Sequence, residues 1–489
     1  MKRLFPLLLS LFFVACGKRP SHPEVEQGLP PIIPDYVGVC VPSDIAPLNF
    51  GAPSEFDYVD VVVRGNRGGE LHANGHYADF DIEKWRTLLH QNIGDSLNVT
   101  VCLRRDGRWK QYRPFGIYVS ADSLSAWGVT YRLIPPGYES FGTMGIYQRD
   151  LRSFDETPII ENRLVETNCV NCHTSNGALE SDITFHVRGS HGATVVEHEG
   201  KLEVFAPRNE ELGGGLVYPN WHPSGRFIIY STNNTHQIFH QLPGKRVEVY
   251  DDKSDIVLFN TQTHELLRDS LLATDSHLEN YPVFSPDGRW LYYCTAAKVD
   301  SVWKNYRDVR YSVCRIAFDA TTARFGSDID TLINSRLTQT SANHLRVSPD
   351  GHYLLYIRSD YGCFPIWHPE ADIWIMDLQS LENHSLIEVN SSQAESFPRW
   401  SPDGHWILFT TRRFDGLYTQ VYLAHVDSSG QASKPFCLPQ KNPVEYAIET
   451  IYSFNTPDFA KAPVSVSQRE IVRALMAPER HTMSFRTIP

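Results

Sequence analysis

The chain has 489 residues, 57 acidic and 45 basic, for a formal net charge of −12. That balance excludes a nucleic-acid clamp and a polybasic membrane binder. With 42% apolar and 21% charged residues it can bury a sizeable core over two or three domains, and 31 glycines and 31 prolines spread along it point to many turns, not to a disordered tract. At the start, Met1-Lys2-Arg3 precedes a mostly apolar stretch from Leu4 to Ala15. This is signal-peptide length and too short to span a bilayer.

The stretch ends in Phe13-Val14-Ala15-Cys16-Gly17, which resembles the lipobox of bacterial lipoproteins. The resemblance implies that residues 1–15 are a removed signal peptide and that the Cys16 thiol carries lipid. Residues 16–34, rich in proline and charge, are then the lipid anchor and tether. The expected place is the bacterial cell envelope, lipid-anchored at the outer membrane and facing the periplasm. No later stretch is long and apolar enough to span a bilayer.

Residues 35–165 read as a β domain. Alternation in Val59-Asp60-Val61-Val62-Val63-Arg64 and in Leu97-Asn98-Val99-Thr100-Val101-Cys102-Leu103 predicts strands, and an antiparallel β-sandwich is expected. One helix is predicted near Asp81 to Gln91, with Trp85, Leu88 and Leu89 on its apolar face. An exported chain permits disulfides. Cys40 with Cys102, or Cys294 with Cys314, could form one, and buried free thiols are the alternative.

Residues 166–180 hold Cys169-Val170-Asn171-Cys172-His173, the C-x-x-C-H pattern for covalent attachment of a c-type haem. In this reading Cys169 and Cys172 bond the haem vinyl groups and His173 is the proximal iron ligand. A redox dithiol would need a βαβ context and a zinc site a second ligand pair, and the surrounding sequence carries neither. Distal candidates are Met144, in a Gly- and aromatic-rich stretch, and the histidines His186 and His191. A ligand on the far side favours electron transfer, and an open position favours ligand chemistry.

The second half repeats. Trp221-His222-Pro223-Ser224-Gly225, Phe284-Ser285-Pro286-Asp287-Gly288, Val347-Ser348-Pro349-Asp350-Gly351 and Trp400-Ser401-Pro402-Asp403-Gly404 align on their glycines. Each precedes an aromatic, β-branched run, so each reads as a turn between strands: Pro presets φ, Asp bonds its own backbone and Gly takes positive φ. The first copy lacks the Asp.

These repeats resemble those of TolB-type β-propellers, which implies four-stranded blades around a central channel over residues 181–450, closed by 451–489. The whole chain resembles a bacterial envelope group that joins a lipobox, a β domain, one C-x-x-C-H motif and such a propeller, some of them labelled cytochrome c biogenesis proteins. Four turns are explicit, and five or six blades are expected, the others from about 180–215 and 420–450. Tyr218, Asn280, His344 and Glu395 should then reach the channel mouth, and Arg412-Arg413 form an anion-binding rim or a surface turn.

No G-x-S-x-G, H-E-x-x-H or phosphate-binding glycine loop is present, so catalysis would have to come from the haem. The fold class is mainly β, a sandwich-like domain followed by a propeller. The expected function is an envelope lipoprotein with one haem c, held to the membrane by its N-terminal lipid, exchanging electrons with a docked protein and not binding nucleic acid. Its alternatives are a haem enzyme or sensor with an open iron site, and a non-redox scaffold for envelope proteins.

Overall fold

The computed structural model describes residues 20–135, 142–165, 168–176, 182–206, 212, 214–242 and 245–488. Residues 1–15, expected to be a signal peptide, and Cys16 lie outside them. Residues expected to form a tether are packed instead: Glu24–Val25 pairs with Arg108–Gln111, and Pro30, Ile32 and Pro34 are buried. Among the described residues no helix is long and apolar enough to cross a membrane.

The N-terminal strands form one seven-stranded sheet, not the two faces of a sandwich. Asp95–Arg105 sits at its centre, paired with Tyr58–Gly65, Arg108–Gln111 and Phe115–Val119. The predicted helix is Ile82–Gln91, with Trp85, Leu88 and Leu89 buried and Asp81 capping the Lys84 amide. A second sheet is unnecessary because the apolar faces find other cover. One continuous core joins Val61, Val99 and Trp85 to Trp406, Phe409 and Phe436 of the propeller. At that junction Trp406 Nε1 donates to Ser123 O at 3.0 Å and Tyr36 Oη to Cys437 O at 3.3 Å.

The remainder is a propeller of six blades. Blade 1 begins at Gly128, inside the span assigned to the β domain: Gly128–Ile134, Gly145–Asp150 and Glu156–Glu161 receive their innermost strand from Ser453–Ala460, near the C-terminus. Blade 2 runs from Cys169–Ser175 to Lys201–Phe205, and blade 3 from Gly215–Trp221 to Glu265–Asp269, with Ser484–Ile488 added in parallel. Blades 4, 5 and 6 start at His277–Phe284, Ser341–Val347 and Glu395–Trp400. One missing blade thus falls at 169–205, near the expected place. The other falls at 128–161, not at 420–450, because residues 420–437 complete blade 6.

The Ser-Pro-Asp-Gly turns do what their chemistry requires. In the second copy Ser285 Oγ accepts from Trp290 N, Asp287 Oδ1 accepts from Arg289 N, and Gly288 sits at φ +71°. In the copy without Asp, Ser224 Oγ takes over, accepting from Arg226 N at 3.2 Å.

The six innermost strands share a further device. Each carries a bulge, with pairing shifted at one point and a non-glycine residue at positive φ: Cys172 (52°), Tyr218 (48°), Tyr281 (51°), His344 (51°), Phe397 (53°) and Thr456 (45°). Such a conformation costs about 1–2 kcal/mol for an L-residue. Its sixfold repetition marks it as part of the architecture.

Candidate functional site

The C-x-x-C-H motif is therefore the innermost strand of blade 2, and Cys172-His173 is its copy of the bulge. Cys172 stands where blades 3, 4 and 6 place Tyr218, Tyr281 and Phe397, and His173 stands where they place Pro219, Pro282 and Pro398. The bulge divides the motif between two spaces. Cys169, Asn171 and Cys172 line a cavity of about 580 Å³ at one mouth of the propeller. His173 lines the narrow channel neck just below it, together with Tyr218, Tyr281, His344 and Phe397.

The cavity is cationic and aromatic. Arg132, Arg188 and Arg412 face it, and its lining includes no carboxylate among the described residues. Arg132 Nη2 lies 3.1 Å from Cys169 Sγ, and its Nε donates to Val170 O at 2.7 Å. Arg412 lies over the Trp367 ring, 3.3 Å from its centroid, and its Nε donates to Ile366 O. Tyr218, Phe364, Phe397 and Trp367 supply the aromatic wall. Enclosure by protein raises the Cys172 thiol above its ordinary pKa, with Arg188 opposing.

A roof comes from blade 3, whose strands Phe227–Leu242 and Lys245–Asn260 form a hairpin with strands of 16 residues each. Thr235, Gln237, Phe239, Val247 and Val249 of this hairpin line the cavity. The hairpin is braced from blade 5: His368 Nε2 and Tyr361 Oη bond the two Glu248 oxygens at 2.8 and 2.7 Å, and Cys363 Sγ lies 3.4 Å from Asp251 Oδ2. Near the tip His240 also faces the cavity, and its Nε2 is buried without a hydrogen-bond partner. Sequence reasoning missed His240, since only the length of the hairpin brings it over the mouth.

The other expected site residues are distributed as follows. His173 is 2% exposed, with Nε2 3.2 Å from Thr130 Oγ1 and Nδ1 3.4 Å from Thr456 Oγ1. Burial pushes its pKa down to about 4, Asp458 opposing, so the ring is neutral. Met144 is wholly buried in the core behind blades 1 and 2 and does not line the cavity, although its Sδ lies 3.8 Å from Arg132 Nη2. His186 is buried between Thr194 and Gly215, with its pKa pushed down to about 3 by burial. His191 sits in the turn after Arg188, where its amide donates to Asn168 Oδ1. Neither histidine lines the cavity.

Tyr218 borders both cavity and neck, and His344 borders the neck. Asn280 and Glu395 do not reach the mouth: Asn280 donates to Asp251, and Glu395 is buried against Arg413 at 3.2 Å. Arg412 and Arg413 accordingly part company, one facing the cavity and the other neutralising Glu395. Every described cysteine is a free thiol, so neither Cys40 with Cys102 nor Cys294 with Cys314 is bonded.

For a c-type haem the fit is thus divided. Two free thiols at the motif spacing, a cavity within the usual range for cofactors, cationic groups for two propionates and an aromatic wall all suit it. The imidazole that faces this cavity is His240, whereas His173 faces the neck.

No protein-family model matches the chain, and no curated protein matches it. Solved structures do, at low identity. A prolyl endopeptidase matches at 11% identity and TM-score 0.36, covering 79% of this chain and 42% of its own. Kuenenia stuttgartiensis hydrazine synthase matches at 9% identity and TM-score 0.42, covering 68% of this chain and 46% of its own. The β-propeller domain of the trilobed protease from Pyrococcus furiosus matches at 10% identity and TM-score 0.32, covering 71% of this chain and 91% of that domain. The chain spans less than half the length of the first two.

Proposed function

We propose that this chain is a cell-envelope lipoprotein whose propeller holds one covalent haem c in the roofed cavity and exchanges electrons with a docked envelope protein. The observation that carries the reading is the pair of cysteines outside any disulfide, Cys169 and Cys172, on the wall of a cavity that has three arginines and, among the described residues, no carboxylate. A haem bound there supplies a one-electron couple whose potential depends on its axial ligands and burial. Cys169 and Cys172 tether it. Arg132, Arg188 and Arg412 are placed to neutralise its propionates, and Tyr218, Phe364 and Phe397 keep water from its faces. His240 is the imidazole that would face a haem held there, with His173 on the neck and Met144, His186 and His191 packed elsewhere. Phe239, 73% exposed at the roof, is the apolar contact for a partner.

A second reading, a propeller scaffold without redox chemistry, is favoured by one observation. The motif strand is structurally complete in itself, its bulge repeated in all six blades and both His173 nitrogens within reach of threonine hydroxyls. In that reading the opposite mouth, a cavity of about 410 Å³ with Trp221, Trp400, Arg346, Arg399 and Lys461, is the docking surface.

The two readings separate on spectra of protein produced in a host with cytochrome c maturation. The haem reading predicts covalent haem in the parent and a reduced spectrum, alone or with carbon monoxide, that changes in His240→Ala. Protein that leaves such cells without haem refutes it and leaves the scaffold. A loaded protein unaltered by His240→Ala refutes the assignment of His240 alone.

A further inference from the structure

Far from the cavity, where the outer edges of blades 2 and 3 meet the C-terminal segment, Glu203, His264 and His481 converge. Glu203 lies on Lys201–Phe205, His264 in the turn before Glu265–Asp269, and His481 before Ser484–Ile488. One ligand atom from each lies within 4.8 Å of the others. Glu203 Oε1 is 3.3 Å from His264 Nε2 and 3.7 Å from His481 Nε2. We propose that these three side chains bind a zinc(II) ion that clasps the C-terminal segment to the seam between blades 2 and 3.

Three features support the site. First, two imidazoles and a carboxylate form a donor set that suits zinc. Bonds of about 2.0–2.2 Å to one ion place donors roughly 3–3.5 Å apart, so the Glu203–His264 separation already fits, Glu203–His481 is slightly long, and the two imidazoles, within 4.8 Å of each other, close on the ion by side-chain rotation. Secondly, the donors are held by backbone, not by chance side-chain meetings. His481 N donates to Val204 O at 3.0 Å, Ser484 N donates to His264 O at 3.1 Å, and the Phe205 ring packs against both imidazoles at 4.9 and 5.5 Å. Thirdly, Glu203 is 7% exposed, and its Oε1 is buried without a hydrogen bond of acceptable geometry. Lys201 Nζ lies 2.7 Å from that oxygen. It rides on a side chain 66% exposed, so a divalent ion in contact with the carboxylate displaces it into water at little cost. His481 is half-exposed, which leaves a path for the ion and room for water as its remaining ligand. The proposal is independent of the haem reading.

The test is zinc titration of the metal-stripped full chain by calorimetry, with cobalt(II) as an optical probe that distinguishes nitrogen and oxygen donors from thiolates. One equivalent should bind, without thiolate charge-transfer absorption. Affinity should fall by at least about tenfold in His264→Ala and in His481→Ala, and rise in Lys201→Met, which removes the competing ammonium. Zinc should slow proteolysis after the helix Gln468–Leu475 in the parent and not in His481→Ala. Because His481 is half-exposed, that variant keeps the test intact if His264→Ala does not fold. Zinc affinity unchanged by His481→Ala, or cobalt bound through thiolates only, overturns the proposal.

Discussion

Asp458 closes the propeller ring, and its loss should be among the costliest single changes outside the apolar core. It lies on the C-terminal strand that completes blade 1 and reaches across to the motif strand of blade 2, accepting from Thr174 Oγ1 at 2.9 Å and Ser175 N at 3.3 Å. Its other oxygen is 3.3 Å from Arg399 Nε of blade 6. The two side chains are only 14% and 9% exposed, and burial lowers the Arg399 pKa while Asp458 supports the charge. Removing the carboxylate strands a buried guanidinium, which costs roughly 3–5 kcal/mol. The Thr174 and Ser175 bonds add about 1 kcal/mol each when lost alone, with overlap. Asp458→Ala should therefore destabilise by about 4–5 kcal/mol, and Asp458→Asn, which keeps an acceptor for Thr174 but loses the charge, by about 3–4 kcal/mol. Arg399→Met in the Asp458→Ala background should recover a good part of the loss, because the buried charge is then gone. Urea unfolding of five proteins measures this: the parent, the two Asp458 variants, Arg399→Met alone and the double variant. A cost below about 1 kcal/mol for Asp458→Ala, or additive behaviour in the double variant, refutes the reasoning.

Three further outcomes are expected. His344 has both ring nitrogens buried and unpartnered, and its pKa is pushed down to about 3 by burial. Phe397 holds the same bulge with an apolar ring, so His344→Phe should raise stability by about 1–2 kcal/mol in denaturant unfolding; a loss of stability contradicts the packing described. Glu279, 2% exposed, is pushed up to about 7 by burial, with Thr274 opposing. Its folded pKa exceeds its unfolded value, so its contribution is full below about pH 4.5 and is lost as pH rises through 7. The stability of Glu279→Gln relative to the parent should therefore improve by about 2 kcal/mol between pH 5 and pH 7, and a constant difference contradicts the assignment. In protein made without haem, an aromatic disulfide reagent should label Cys169 and Cys172 in the native state, with Cys172 the slower. Cys40, Cys102, Cys294, Cys314, Cys363 and Cys437 are buried and should react only on unfolding; their labelling in the native state contradicts the burial described.

Blades 3 to 6 were legible because a Ser-Pro-Asp-Gly turn is a local device: Asp287 and Gly288 meet their requirements within a few residues, and the aromatic runs follow at once. Helix Ile82–Gln91 was legible for the same reason, from Asp81 and the Trp85, Leu88, Leu89 face. Blade 1 was not, since its inner strand Ser453–Ala460 comes from the far end of the chain and nothing in 128–161 announces the partner. Blade 2 was expected near its place, but its inner strand was hidden by its own motif. Asn171-Cys172-His173 occupies the place of Asn280-Tyr281-Pro282, Asn343-His344-Leu345 and Asn455-Thr456-Pro457. Tyr218, Tyr281, His344 and Phe397 all stand at one fixed offset before their turn glycines, and extending the repeat that far upstream would have exposed the register. Asn280 and Glu395 were misplaced because strand position alone does not reveal a buried partner such as Asp251 or Arg413. The cavity roof depends on a hairpin whose reach only the fold displays, so His240 had no signal in its neighbours.

The most direct measurement is the state of Cys169 and Cys172 after expression of the full chain with cytochrome c maturation. The peptide carrying both cysteines is isolated after acid-acetone extraction, then examined by mass spectrometry and pyridine haemochrome. One haem retained on that peptide through both sulfurs is expected, and none in the Cys169→Ala, Cys172→Ala double variant. Two unmodified thiols on that peptide, from cells that mature a control cytochrome, would contradict it.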